Sequence, residues 1–260
     1  MTIFYYFWPI ALLFGLCIGS FLNVCVYRIP IGMKVYEGRS ICPCCRSGLH
    51  ALDLIPVVSY IILRGKCRHC GCHISPIYPI VELLTGLLFV AAFYFYGLSL
   101  QTLLVWVLSS VLVVASFIDI HTLEIPDGVS LWIAAVGIAS FFVPDLVWWQ
   151  RLLGSLVAAS PLLIILLVSK GNAMGMGDIK LMAAVGLILG YKLSLFALFS
   201  ATVFGAVIGL LLIILKKKGK RDEIPFVPML SFGILFALFF GNDIISWYLS
   251  LLFRSYCCQI

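Results

Sequence analysis

The chain has 260 residues, of which 63% are apolar and only 11% are charged, and its net charge is +6. A typical soluble domain is about 25% charged, so this chain has too few charges to cover a water-facing surface. The composition therefore predicts an all-α protein that crosses a lipid bilayer several times. It excludes a soluble enzyme, a disordered tail and a secreted disulfide scaffold.

The apolar sequence divides into eight segments that could form membrane spans, each of which needs about 20 mostly apolar residues. The first has no charged residue before Arg28, so it lacks the basic start of a secretion signal and we expect it to be retained. The sixth is short for a full crossing, and Trp148, Trp149 and Arg151 before the fifth are predicted to form an interfacial belt. The predicted spans are Ile3–Tyr27, Tyr78–Tyr96, Thr102–Ile120, Val129–Val143, Leu152–Ser169, Ile179–Gly190, Leu193–Leu215 and Ile224–Asn242.

Basic residues cluster in two places, which predicts how the chain is oriented. Seven of the 17 Lys and Arg lie between Arg28 and Arg68, and five more lie between Lys216 and Arg221. With segment 28–77 in the cytoplasm, the inside loops hold 14 basic residues and the outside segments hold three. Short cytoplasmic loops carry such an excess. A nucleic-acid-binding surface is disfavoured, because neither cluster belongs to a soluble domain large enough to present it.

Segment 28–77 contains six of the ten cysteines. Two C-x-x-C motifs, with 21 residues between them, would each direct two thiolates at one ion and together complete a tetrahedral zinc site. The metal would supply folding energy that a loop of this size cannot obtain from a core. The predicted zinc ligands are Cys42, Cys45, Cys67 and Cys70.

Four further residues of this segment are either substitute ligands or bystanders, namely Cys44, Cys72, His69 and His73. The charge distribution places this segment in the reducing cytoplasm, which disfavours disulfides.

Two aspartates at the predicted inner membrane edge are the candidate catalytic residues. Asp119 ends the third span and Asp178 begins the sixth. An ionisable group in such a place indicates function, and two carboxylates at one depth predict an aspartic protease pair. The glycines beside Asp178 would let a substrate backbone approach it.

The alternatives for these carboxylates remain open at this stage. Asp178 could cap a helix beside Lys180, and Asp119 could be a loop residue near the interface. Glu124 and Asp127 are rival carboxylates in a solvated turn, with Asp127 as the N-cap of the fourth span. Glu82 is a lesser candidate for a positioning role.

Motifs over nearly the whole chain resemble those of the type IV prepilin peptidases, which also act as N-methyltransferases. Two departures are Pro228-Met229, less glycine-rich than the usual Pro-Phe-Gly-Pro, and Pro76-Ile77 in place of a basic pair. The motifs are Gly19-Ser20-Phe21-Leu22-Asn23-Val24, Cys42-Pro43-x-Cys45, Ile55-Pro56-Val57-Val58-Ser59-Tyr60, Arg64-Gly65-Lys66-Cys67-x-x-Cys70, Tyr78-Pro79-x-Val81-Glu82, Asp119 ahead of Ile125-Pro126-Asp127, Gly175-x-Gly177-Asp178 and Ile224-Pro225-Phe226.

The resemblance implies an inner-membrane enzyme whose catalytic aspartates are Asp119 and Asp178. It would cleave the basic leader of a prepilin or pseudopilin after a glycine at the cytoplasmic face, and then methylate the new N-terminus with S-adenosylmethionine. Gly65 and Lys66 match the Gly-Lys-Cys segment of the family and are the candidate residues for binding the methyl donor, called the methyl-donor residues. No Gly-x-Gly-x-x-Gly motif supports that second activity.

The expected organisation is a first span (1–27), a cytoplasmic zinc-binding domain associated with methyl transfer (28–77) and a transmembrane peptidase domain (78–260). Two other classes of function compete with it. A transporter or channel with a zinc regulatory loop would carry midplane charges and internal repeats, and we find neither. A non-catalytic scaffold of a secretion machine would tolerate the loss of both aspartates.

Overall fold

The structure of the protein is a computed structural model that describes residues 2–36, 38, 40–42, 44–143, 145–171, 174–215 and 224–257. This part is helical, with no β-strand beyond two isolated bridges. Short 3-10 helices lie at Ala51–Leu54 and Ser140–Phe142. The α-helices are α1 Thr2–Arg28, α2 Val58–Ile62, α3 Ile77–Tyr96, α4 Leu100–Thr122, α5 Asp127–Ala139, α6 Trp148–Val168, α7 Met176–Ile214 and α8 Val227–Cys257.

Six helices in the described part are long and apolar enough to cross a membrane, which are α1, α3, α4, α6, α7 and α8. Helix α5 with the turn after it is apolar but shorter. Helix α7 has 39 residues and leaves helical geometry at Gly190 (φ 69°, ψ 175°), so it consists of two helical segments. These eight apolar segments confirm the predicted all-α multi-pass fold, and the break agrees with the predicted end of the sixth span.

The last helix is longer than predicted. Helix α8 continues to Cys257, whereas the eighth span was predicted to end at Asn242. The sequence after Gly241 has no Gly or Pro, so nothing in it stops a helix. Other predicted features lie outside the described residues, namely Arg39, Pro43, Pro144 and the basic run Lys216–Arg221.

The chain divides into two compact units, unit 1 (Met1–Thr122) and unit 2 (Leu123–Ile260). In unit 1, α1 and α3 approach so closely that a Cβ on Gly15 would lie 2.7 Å from the Cα of Gly86. Trp106 of α4 stacks on Phe89 of α3 with ring centroids 4.8 Å apart, and its indole N–H donates to the Phe89 carbonyl at 2.9 Å. These contacts build the core of unit 1.

In unit 2, helices pack through three contacts that we call the glycine seams. At each seam a glycine brings its backbone against the backbone of a neighbouring helix, and there is no room for a side chain. A Cβ at the first residue of each pair would lie 2.3–2.8 Å from the carbonyl oxygen of the second, and these pairs are Gly137–Ala184 (α5 and α7), Gly154–Gly186 (α6 and α7) and Gly233–Ala197 (α8 and α7).

Arg151, predicted to lie in an interfacial belt with Trp148 and Trp149, is instead 1% exposed. The two tryptophans are exposed, as the belt prediction requires. The guanidinium donates to the carbonyls of Leu187 and Val143 at 3.1 and 2.7 Å, and it also pairs with the Asp145 carboxylate. The prediction for Arg151 is therefore wrong, because its two terminal guanidinium nitrogens donate to acceptors near the break in α7.

Candidate active site and metal centre

The two C-x-x-C motifs of unit 1 fold into equivalent turns. In each turn the first cysteine makes two backbone hydrogen bonds. Its carbonyl accepts from the N–H of the residue four positions later, and its own N–H donates to the carbonyl of the residue five positions later. The bonds are Arg46 N to Cys42 O at 2.9 Å, Cys42 N to Ser47 O at 3.0 Å, Gly71 N to Cys67 O at 2.9 Å and Cys67 N to Cys72 O at 2.8 Å. Isolated bridges flank the turns at Ile41↔Gly48 and Lys66↔His73.

These turns bring the four predicted ligands together, and we call the group the four-cysteine cluster. The four Sγ atoms of Cys42, Cys45, Cys67 and Cys70 lie within 4.8 Å of one another, and those of Cys42 and Cys70 are 3.9 Å apart. Thiolates about 2.3 Å from a tetrahedral zinc ion lie about 3.8 Å from each other. The cluster can therefore hold one metal ion, as predicted from the spacing.

The electrostatics of the four-cysteine cluster favour a bound cation. The Ser47 hydroxyl, 2.9 Å from the Cys45 sulfur, lowers the pKa of Cys45 to about 6, and backbone hydrogen bonds from Cys70 and His69 lower the pKa of Cys67. For Cys70 the backbone hydrogen bond from Cys72 lowers the pKa, but desolvation and three neighbouring thiols outweigh it and raise the pKa to about 11. Several thiolates accumulate here only if a cation compensates them.

The remaining two cysteines of the loop form a disulfide. Cys44 and Cys72 are bonded through their sulfurs, with Cα atoms 6.6 Å apart and 28 positions of sequence between them. The expectation that disulfides are disfavoured is therefore wrong for this pair. Two aligned turns bring residues beside the ligands together, and the chemistry of the compartment alone does not predict this.

An ion pair ties the second turn to the 3-10 helix before α2. Arg68 Nε lies 2.7 Å from Asp53 Oδ1, and the backbone N–H of His50 donates to the other carboxylate oxygen at 3.2 Å. The Asp53 side chain is 4% exposed and that of Arg68 is 49% exposed. The Arg68 guanidinium holds the pKa of the Asp53 carboxyl below its ordinary value, with the His50 N–H as a smaller cause.

Gly65 and Lys66, the candidate methyl-donor residues, differ in what the structure requires of them. Gly65 is buried with φ +68°, and a Cβ there would meet the Tyr60 hydroxyl oxygen at 2.9 Å. Its N–H donates to the Tyr60 carbonyl and its carbonyl accepts from Ile74, so glycine is needed for the fold of the loop. Lys66 is exposed.

Glu82 connects α1, α3 and the loop. It is 8% exposed, accepts a hydrogen bond from the Val57 N–H at 2.7 Å and is hydrogen-bonded to Ser20 of α1. Val57 has a left-handed φ of +61°, and the carboxylate satisfies its N–H at that unusual position. Glu82 therefore has the contacts expected of the positioning residue suggested by the sequence.

Asp119 lies in the last turn of α4, in unit 1, with 5% of its surface exposed. Ala115, one turn earlier, and the adjacent Ile118 are fully buried. Burying a carboxylate is costly unless it is paired or hydrogen-bonded, and an ionisable group buried at the end of a membrane helix is a candidate functional group. It argues against the alternative of a loop residue near the interface.

Asp178 lies in the first turn of α7, in unit 2, with Gly175 as the N-cap residue. Its side chain is 8% exposed. Free backbone N–H groups and the helix dipole stabilise negative charge at this end of a helix. The first turn of α7 thus holds a largely buried carboxylate.

The two glycines before Asp178 have different surroundings. A Cβ on Gly177 would lie 3.0 Å from the Cβ of Ile125, so this glycine makes room for a side chain of the protein itself. Among the described residues, a Cβ on Gly175 would have only Asp178 Oδ2 and the Gly177 N–H within 4 Å, both at 3.9 Å. Gly177 therefore accommodates Ile125, whereas Gly175 has no other described side chain than Asp178 beside it. Approach of a substrate backbone at these glycines stays a prediction.

Asp127 is the first residue of α5, and its N-cap position is occupied by Pro126 without a side-chain cap. Its carboxylate pairs with Lys180 Nζ at 2.9 Å. The prediction that Asp127 caps the helix is therefore wrong. Lys180, named in the alternative interpretation of Asp178 as a helix cap, forms its ion pair with Asp127. The side chains of Asp127 and Lys180 are 91% and 52% exposed. Because neither is buried, no pattern of apolar residues in the sequence indicates that they pair.

Residues 13–96 match the family described as Bacterial Peptidase A24 N-terminal domain, and residues 106–210 match the Type IV leader peptidase family. The chain belongs to the type IV leader peptidase family. The first match contains the four-cysteine cluster, Gly65 and Glu82, and the second contains Asp119 and Asp178. The resemblance stated from the motifs is therefore confirmed.

Curated members of the family cover almost all of the chain. The chain is 35% identical to the prepilin leader peptidase/N-methyltransferase of Bacillus subtilis over 93% of this chain and 98% of the relative. It is 33% identical to the protein of that name from Aeromonas hydrophila, over 94% of both chains, and 31% identical to that of Legionella pneumophila, over 91% and 92%. No solved structure matches. Nothing in these relatives favours a transporter or channel.

Proposed function

We propose that this protein cleaves the leader peptide of type IV prepilins or pseudopilins after a glycine, and then methylates the new N-terminal amine. The observation that carries the proposal is the position of the two buried carboxylates, Asp119 and Asp178. Both lie inside the segment that matches the leader peptidase family, at the ends of apolar helices. Carboxylates at such places in membrane helices act on substrates or protons.

Asp119 and Asp178 are the catalytic residues of this proposal. Aspartic proteases divide their work between two carboxyl groups that hold one proton between them. The ionised carboxylate removes a proton from the attacking water, and the protonated one donates to the oxygen of the scissile carbonyl. When the tetrahedral intermediate collapses, a proton passes to the leaving amine. Among the described residues, Asp178 has the only side chain within 4 Å of a Cβ on Gly175, and this supports approach of a peptide backbone to that carboxylate.

Zinc is the ion proposed for the four-cysteine cluster, since four thiolates at tetrahedral spacing match its preference. Its role is structural, because four protein ligands leave no open position for a substrate. We expect one zinc per chain in purified protein and its loss in Cys67→Ser, with Cys17→Ser of α1 as the control. Metal analysis that finds no zinc, or equal zinc in both variants, contradicts the assignment.

The methyl donor proposed is S-adenosylmethionine, which supplies a methyl group for transfer to the new N-terminal amine. Gly65 and Lys66 are the residues proposed for this activity. The contacts of Gly65 are already used by Tyr60 and Ile74, so its backbone does not offer a cradle for the donor. The exposed Lys66 is the residue of the pair that remains able to contact it, and we derive no further step at this site.

The proposed location is the bacterial inner membrane, with residues 28–77 and both aspartates on the cytoplasmic side. The excess of basic residues in the predicted inside loops supports this orientation. The partners are prepilin or pseudopilin substrates and the surrounding lipid, and we expect no nucleic acid. We also propose that 28–77 serves methyl transfer and that 1–27 and 78–260 form the membrane part, the latter carrying the peptidase.

Co-expression with a candidate prepilin tests the proposal in one measurement. The mass of the mature pilin N-terminus reports cleavage as loss of the leader and methylation as the added methyl group. We expect a cleaved and methylated product from the wild-type chain and an intact precursor from a strain without it. A precursor that stays intact although the wild-type chain is inserted, for each of several prepilins, contradicts the peptidase function.

A further inference from the structure

We propose that Cys44 and Cys72 are a redox-reactive thiol pair, separate from the metal ligands, whose reversible disulfide locks the two turns of the four-cysteine cluster together. Neither cysteine has a role in the proposed zinc site or in peptide cleavage. Each is bonded to the other through its sulfur. The proposal goes beyond leader cleavage and methylation, and it rests on the proposed metal site only for its effect on zinc.

The position of the pair explains why it can lock the turns. Cys44 lies inside the first C-x-x-C motif and Cys72 lies two residues after the second. Because the two turns have the same backbone hydrogen bonds, a bond between them joins two rigid pieces. Without the disulfide and without a metal, the hydrogen bonds within each turn do not hold one turn against the other.

Accessibility separates this pair from two of the four ligands. Cys44 is exposed and Cys72 is partly exposed, whereas Cys42 and Cys67 are buried with 4% and 7% of their surface accessible. The other two ligands, Cys45 and Cys70, are exposed but would be engaged by the ion. A bound metal therefore protects its ligands and leaves Cys44 and Cys72 as the thiols of this loop that a solvent reagent reaches first.

The oxidant is a low-molecular-weight disulfide. The more exposed Cys44 thiolate attacks one sulfur of that reagent, whose sulfur–sulfur bond breaks and releases one thiolate. The Cys72 thiolate then attacks the Cys44 sulfur of the mixed disulfide, forming the Cys44–Cys72 bond and releasing the second thiolate. The two protons lost by the cysteines pass through water to the two released thiolates, so the two electrons and two protons reduce the reagent to two thiols.

The consequence is a loop whose hold on zinc depends on redox state. A crosslink between residues 28 positions apart restricts the conformations of the metal-free chain. When the ion leaves the oxidised form, the four ligands therefore stay near one another and rebind the ion before they separate. The reduced form loses this restriction. We expect the oxidised protein to release zinc to a chelator at least about tenfold more slowly than the reduced protein.

The experiment uses the full-length protein in detergent, treated with either dithiothreitol or oxidised glutathione. Peptide mapping after alkylation should find a Cys44–Cys72 crosslink in the oxidised sample, and intact mass should show the loss of two hydrogens. Zinc content should be equal in both samples, and zinc release to a chelator should be slower after oxidation. The variants Cys44→Ser and Cys72→Ser should bind zinc normally and lose the redox dependence, while Cys17→Ser should behave as wild type.

Three outcomes overturn the proposal. One is a crosslink that includes Cys42, Cys45, Cys67 or Cys70 and ejects zinc, which would make the ligands the reactive thiols. Another is loss of zinc from reduced, folded Cys44→Ser or Cys72→Ser, which would make those residues ligands. The third is equal zinc release from oxidised and reduced wild-type protein, a comparison that needs no variant. Absence of zinc from all samples would instead contradict the proposed metal site.

Discussion

The two C-x-x-C turns of unit 1 (the metal turns) and the glycine seams of unit 2 are held together by opposite means. In the metal turns the side chains make the structure, since thiols, a disulfide and the Asp53–Arg68 pair join short stretches of backbone. At the glycine seams the absence of side chains makes the structure, since helix backbones touch directly. The metal turns should therefore be destabilised when a functional group is removed, and the glycine seams should be destabilised when an atom is added.

The largest expected effect separates peptide cleavage from the metal turns. Asp119→Asn or Asp178→Asn should lower leader cleavage by about 10²–10⁴-fold, because a carboxamide cannot exchange the required proton. Cys67→Ser should lose zinc and yet retain cleavage when the amount of inserted protein is matched. The measurement is the cleaved fraction of a co-expressed prepilin.

The control for this prediction is Asp127→Asn, which removes only an exposed ion pair and should retain substantial cleavage. Full processing by either Asp119→Asn or Asp178→Asn would show that the carboxylates are misassigned. An inactive Asp127→Asn beside an active Asp119→Asn would identify Asp127 as the true partner.

The next effect tests the glycine seams by adding one methyl group. In Gly186→Ala the new Cβ would lie 2.4 Å from the Gly154 carbonyl oxygen, so the helices must separate. We expect a loss of about 1–3 kcal/mol in the free energy of unfolding, seen as a lower Tm in detergent. Gly128→Ala in α5, where a Cβ meets no atom of the described residues within 4 Å, should leave Tm unchanged or raise it. Equal Tm values for both variants would refute the seam.

A third prediction distinguishes chemistry from folding within the loop. Lys66→Ala should reduce methylation about tenfold or more while zinc content and cleavage stay normal. Gly65→Ala should also impair methylation, but with reduced zinc, because its left-handed φ and the Tyr60 hydroxyl leave no place for a Cβ. The readouts are the mass of the pilin N-terminus and the zinc content. Fully methylated pilin from both variants would leave the methyl-donor site unassigned.

The smallest effect concerns the ion pair at the second turn. Asp53→Asn should speed zinc release less than about threefold, because half-exposed pairs contribute little and salt screens them. Arg68 holds the pKa of the Asp53 carboxyl below its ordinary value in the folded loop. The ion pair therefore stabilises the loop fully at pH values above the ordinary pKa of Asp. This stabilisation is lost as pH falls through the lowered pKa. The variant's effect should therefore be the same at about pH 6 and about pH 8. A change between these values would implicate another group.

The sequence allowed prediction of those features that depend on composition or on a fixed spacing. Eight apolar segments, the four-cysteine cluster and the break near Gly190 follow from hydropathy, from C-x-x-C geometry and from a glycine after a short span. The features that were missed depend on contacts across the fold. The Asp127–Lys180 pair, the contact of Ile125 with Gly177 and the burial of Arg151 each join residues far apart in sequence, and no local pattern specifies such partners.

The break at Gly190 has a mechanical consequence for unit 2. The seams at Gly137 and Gly154 fasten α5 and α6 to the first half of α7, while the seam at Gly233 fastens α8 to the second half. Touching backbones cannot take up a displacement by changing rotamers, so each group moves as a block. Gly190 is the position inside α7 where the backbone leaves helical geometry. Bending between the blocks that admits a substrate or releases a product would therefore be concentrated at one residue without a side chain.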